Sequence, residues 1–188
     1  MISAKEKTMH TAVDAYASKK SATTLGYYED KYLDYMQAVA GPKLVRKQPI
    51  IHRGYYTRVT CYRSIIQKFL DLTKAASGPR QIVNIGCGYD TLSFHLLDEG
   101  HADLLVFEVD HEEVILRKTD MIRRSAELSS LLCGTGNPLG PNYGFDTQVL
   151  KFVAADLQQP TVVESLARAG LNPAQPTLIL SECVLVCK

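Results

Sequence analysis

Four short apolar runs, separated by stretches of helical periodicity, constrain this chain more than anything else in it. They are QIVNIG (81–86), LLVFEVD (104–110), VLKFVAAD (149–156) and TLILSECVLV (177–186), the last reading as one strand or as a strand and its exit. Near-continuous apolar strands of this kind are buried on both faces, unlike the alternating strands of a half-solvated antiparallel sheet. Between them, residues 90–97, 111–132 and 162–169 read as helices. The first is capped by Asp90 or Thr91 and closed by Gly100, the second buries Val114, Ile115, Met121 and Ile122, and the third stops at Gly170. Strand–helix alternation with right-handed crossovers predicts an α/β fold, a parallel Rossmann-like sheet covered by helices.

An all-helical segment precedes the sheet. Residues 1–20 are polar and weakly patterned, and predict no more than a frayed start or a short helix. In residues 30–39, Tyr32, Leu33, Tyr35, Met36 and Val39 fall at helical spacing before Gly41-Pro42. After a basic connector (43–54), residues 55–76 show an apolar stripe of Val59, Tyr62, Ile65, Ile66, Phe69, Leu70 and Leu72, ended by Ser77-Gly78-Pro79. A Gly-, Pro- and Asn-rich loop spans 133–144. The expected organisation is one domain, with a helical cap over 1–78 and the sheet over 79–188. Open sheets of this type carry about six strands, and this chain ends two residues after its fourth run. The expectation is therefore an incomplete sheet, the first half of a domain, with one uncovered edge prone to association.

Net charge is +1 in 188 residues, so no global basic field exists to attract nucleic acid or an anionic membrane. The five cysteines are scattered, with neither CxxC nor zinc spacing, and read as thiols in a reducing compartment. The first twenty residues lack the apolar core of a secretory signal, and 177–186 is far too short to span a bilayer. The expected location is the cytoplasm.

The chemistry gathers at the ends of the four runs. Gly86 and Gly88, in NIGCGYDT (84–91), follow the first strand and precede a helix, where the chain must turn sharply and a ligand can approach the backbone. Asp110 ends the second strand, roughly twenty residues on, where a carboxylate in such folds accepts hydrogen bonds from ribose hydroxyls. A dinucleotide loop carries a third glycine, but Thr91 stands there, and Asp90 beside it would repel a diphosphate seeking the helix amides. Asp156-Leu157 at the end of the third strand suits an adenine, the carboxylate accepting from its amino group and the leucine packing on the ring. Glu182 is a charge inside an apolar strand, costly unless paired or facing a cleft. These features favour S-adenosylmethionine over NAD.

The segments GYYEDKY (26–32), HRGYYTRV (52–59), QIVNIGCGYDT (81–91), FEVDHEEVILRK (107–118), AADL (154–157) and SECVLV (181–186) resemble, in order, those of the leucine carboxyl methyltransferases. RGYYTRV and SECVLV are not general methyltransferase features. The resemblance implies a class I methyltransferase fold and methyl transfer from S-adenosylmethionine to the C-terminal leucine carboxylate of the protein phosphatase 2A catalytic subunit; on charge alone, neither nucleic acid nor membrane is expected as a partner. It implies Lys19, Arg58, Gly86, Asp110, Asp156, Leu157 and Glu182 as donor-binding residues, Lys19 and Arg58 holding the donor carboxylate. The family motif continues with tyrosine and methionine, near the reacting methyl, where this chain has Cys187-Lys188. A C-terminal carboxylate, with a reference pKa of about 3.5, is already ionised at neutral pH. Neither a general base nor a metal is expected, and no catalytic residue is assigned. The alternatives are a non-catalytic form that binds donor or acts through interaction, and a NAD-dependent oxidoreductase.

Overall fold

A computed structural model describes residues 4–36, 46–101, 103–132 and 149–184, with residues 4–8 as backbone alone. The helix end at Gly41-Pro42, the 133–144 loop and Cys187 lie outside the described residues. The element order is α1 (Ala4–Thr24), α2 (Tyr32–Met36), α3 (Pro49–Leu72), β1 (Arg80–Ile85), α4 (Leu92–Asp98), β2 (Leu104–Asp110), α5 (Glu112–Arg124), α6 (Ala126–Leu132), β3 (Leu150–Ala154), α7 (Val162–Arg168) and β4 (Thr177–Ser181).

The four strands form one parallel sheet in the order β3-β2-β1-β4. This is the Rossmann-like α/β arrangement that the strand–helix alternation predicts. Successive side chains point to opposite faces, so β1, β2 and β3 each feed two cores and β4 feeds one. Ile82, Leu104, Val106, Leu150, Phe152 and Leu180 face the larger one, packed with Tyr32, Leu33, Ile66, Leu70, Phe94, Ile115 and Ile122 from the helices. Val83, Phe107, Val109 and Val153 face the smaller one, under Val162 and Leu166 of α7. Asn84, Glu108 and Asp110 also point toward the larger core by this alternation, carrying polar groups into the helix-covered side.

Four elements differ from the sequence reading or refine it. Residues 4–24 form a continuous 21-residue helix. Its apolar stripe is weak because the face it buries is partly polar: Ser18, Lys19, Lys20 and Ser21 are all buried, and the last three have side-chain partners outside α1. Ser21 Oγ, for instance, meets His52 Nε2 of α3 at 2.9 Å. α3 begins at Pro49, six residues early, since proline suits the first helical turn. It buries Ile66 and Leu70 but leaves Leu72 86% exposed. The helix expected over 111–132 is two, broken at Ser125, whose backbone is extended and whose Oγ accepts the Leu128 N–H at 3.2 Å. Of the two readings of 177–186, one strand or a strand and its exit, the second holds: β4 ends at Ser181, so Glu182 is not inside a strand. It is the first residue beyond one.

Candidate functional site

β1 and β4 are sheet neighbours while the chain between them goes the other way through β2 and β3, so a crevice opens beyond their C-terminal ends. A cavity of about 640 Å³ occupies it. Lys19, Arg58, Gly86, Asp110, Asp156, Leu157 and Glu182 all line this one cavity. Gly86, Asp110, Asp156 and Glu182 come from the ends of four different strands, while α1 and α3 bring Lys19 and Arg58 over the top.

The glycine turn is strapped to β2: the Gly86 and Cys87 amides donate to the Val109 carbonyl at 2.7 and 3.1 Å. Gly86 has φ +64, in the left-handed region, and a Cβ there would overlap the Val184 side chain. Asp110 braces the turn as well. Its Oδ2 accepts the Gly88 N–H and its Oδ1 the His111 N–H, both at 2.7 Å. Burial raises the Asp110 carboxyl above its ordinary value, against the downward pull of those two amides. On the far side, Asp156 Oδ1 accepts the Gln158 N–H at 2.9 Å, and Asp156 and Leu157 are both half-buried.

The other end of the cavity is ionic. Lys19 Nζ lies 3.0 Å from Glu182 Oε2 and 3.1 Å from Asp90 Oδ2. Arg58 Nε lies 3.4 Å from Glu182 Oε1. Arg58 also donates to Cys183 Sγ at 2.9 Å and stacks over the Tyr55 ring at 4.2 Å. Burial alone would lower the Lys19 ammonium pKa, but the Asp90 and Glu182 carboxylates outweigh it and raise it. Burial alone would likewise raise Asp90, but the Lys19 and Lys118 charges hold it below its ordinary value. Two cations and two carboxylates thus make a group of mixed sign and no net charge. Cys183, beside it, has φ +57, the one non-glycine in the left-handed region among the described residues.

The family model for leucine carboxyl methyltransferase matches residues 7–186, nearly the whole chain. The chain belongs to the leucine carboxyl methyltransferase family. It is 34% identical over 181 residues to a leucine carboxyl methyltransferase 1 homolog of Arabidopsis thaliana, covering 92% of this chain and 51% of that protein. It is 32% identical over 184 residues to leucine carboxyl methyltransferase 1 of Rattus norvegicus, covering 94% and 52%. It is also 36% identical over 174 residues to tRNA wybutosine-synthesizing protein 4 of Homo sapiens, covering 89% and 25%. The chain therefore spans about half the length of the methyltransferases it matches and a quarter of the wybutosine protein.

Within this family member the sequence reading missed two contributions to the cleft. Asp90, read as a helix cap, does cap α4, its Oδ1 accepting the Thr91 and Leu92 amides at 2.6 and 3.0 Å. It also grips Lys19, a contact across 71 residues that no local pattern reveals. One side of α1, including His10, Ala12 and Tyr16, lines the cavity too. The available signal was faint: lysines at 19 and 20 inside an otherwise uncharged stretch (15–25).

Proposed function

We propose that this chain binds S-adenosylmethionine in the strand-end cavity and acts in methyl esterification of the C-terminal leucine carboxylate of the protein phosphatase 2A catalytic subunit. The observation that carries the donor assignment is the gathering of the seven residues around one cavity, with a neutral, mixed-sign cluster at one end. A zwitterionic amino-acid moiety suits such a cluster: Lys19 and Arg58 pair with its carboxylate and Glu182 with its ammonium. Asp110 takes the ribose hydroxyls, Gly86 lets the ligand approach the backbone, and Asp156 and Leu157 receive the adenine.

NAD suits the cavity less well. A pyrophosphate needs helix-start amides, and the Asp90 carboxylate already occupies those of Thr91 and Leu92. Its negative charge opposes a second anion there.

The donor supplies a methyl group activated by its sulfonium. The residues of this chain hold that group in place, keep water out and leave proton transfer aside. An acceptor carboxylate is ionised at neutral pH, so the rate comes from alignment and desolvation of the reacting atoms.

The test offers the protein a labelled methyl donor and a peptide ending in leucine. The expected product is a base-labile methyl ester, absent when the peptide terminus is an amide. Transfer to a tRNA instead would move the substrate toward that in the wybutosine protein's name. Donor binding without transfer to either would make the chain a binding form and overturn the esterification reading.

A further inference from the structure

A second charged pair joins β2 to α5, outside the ring of donor-site residues assigned above. Lys118 of α5 and Glu108 of β2 have fully buried side chains, with Lys118 Nζ 2.5 Å from Glu108 Oε2. Taking two charges out of water costs several kcal/mol per ion, and a well-packed apolar pair of similar volume is often as stable or more so. Stability alone therefore gives a poor reason for the pair. A second contact suggests a better one. Lys118 Nζ also donates to the main-chain carbonyl of Asp90 at 2.6 Å.

Asp90 is the junction of the site. Its side chain caps α4 and holds Lys19, and Lys19 in turn meets Glu182, which meets Arg58. The chain of contacts runs from the middle of β2, through α5, to the Asp90 peptide, whose side chain meets Lys19. Asn84 stands opposite Glu108 in the β1–β2 register and itself lines the cavity. The buried pair is thus one strand away from a residue of the cavity wall.

We propose that Lys118, anchored by Glu108, is a positioning residue for the donor site: it fixes the Asp90 peptide so that the Asp90 carboxylate holds Lys19 toward the cavity. This rests on the donor assignment above. Lys118 itself need not touch the ligand.

The test removes both charges together, in Lys118→Met/Glu108→Leu, and measures melting temperature and S-adenosylhomocysteine affinity by calorimetry. The expected result is melting at or above that of the unaltered chain, with affinity weakened by roughly tenfold or more. Combining the pair with Asp90→Asn supplies a readout that a scaffold role would not move. If Lys118 acts through Asp90, the combined loss is no larger than that of Asp90→Asn alone. Unweakened binding in the double variant, or losses that add in full, would overturn the proposal. Should the double variant fail to fold, Lys118→Met/Glu108→Gln decides, since it keeps both volumes, leaves no unpaired buried charge and removes the donor to the Asp90 carbonyl. Reduced affinity at unchanged melting supports the positioning role, and unchanged affinity overturns it. The unaltered chain is the control for the reading beneath: if it does not bind S-adenosylhomocysteine, the donor assignment itself has failed.

Discussion

Asp110 accepts two main-chain amides at 2.7 Å, yet a carboxylate has about four acceptor positions, so it can brace the glycine turn and still meet a ribose. A hydrogen bond to a charged group contributes about 1.5–3 kcal/mol. Asp110→Ala should therefore weaken S-adenosylhomocysteine binding roughly ten- to a hundredfold by calorimetry, and unchanged affinity would count against the ribose role. The direction of its pKa adds a second readout. Burial raises the Asp110 carboxyl, so as pH falls it takes up a proton earlier than an ordinary aspartate and loses the charge that strengthens its bonds. Affinity should fall as pH is lowered through that raised value. In Asp110→Asn, binding should be weak throughout and lack that step. Lys19 titrates the other way, its pKa raised by Asp90 and Glu182, and stays charged across the same range.

Elements show where local pattern sufficed and where it did not. All four strands were legible from their apolar runs; for β1, β2 and β3 the reason is that a strand buried on both faces leaves little room for polar residues, whereas β4, equally apolar, leaves Ile179 exposed. The split of the 111–132 stretch was not, because helical periodicity continues through a break whose cause is one side chain. Ser125 bonds the Leu128 N–H and starts α6 anew. Ser125→Ala should cost about 1 kcal/mol, as cap losses do, read as a lower midpoint in denaturant unfolding with donor affinity unchanged. A midpoint that does not move would mean that the packing of Leu128 and Leu132 sets the break. α1 was illegible for a different reason. Its buried face carries Lys19 and Lys20, and a charge is a core residue only where a distant partner makes it one. Lys20 has Asp34 of α2, while Lys19 has Asp90 and Glu182. Glycine spacing and strand ends locate a cleft in sequence; the partners that orient its cations emerge only when four segments meet.

At the scale of the whole molecule the sheet is asymmetric. Among the described residues, α7 is the only helix packed on the smaller core, and β4 stands at a sheet edge with Ile179 63% exposed. The cavity lies where β1 meets this edge strand, and its floor, walls and ionic end come from α1, α3 and all four strand ends. A ligand filling it would tie together segments far apart in sequence, and binding to the folded form alone should stabilise the entire chain. At a ligand concentration one hundred times the dissociation constant that stabilisation is about 2.7 kcal/mol, or roughly 5–10 °C in melting temperature for a chain of this size. The most direct measurement is thus a thermal melt of the unaltered chain with saturating S-adenosylhomocysteine beside one with NAD. The expected result is a rise of that order with the first and none with the second. No rise with S-adenosylhomocysteine at any concentration, or an equal rise with NAD, would contradict an adenosyl methyl-donor site at these strand ends.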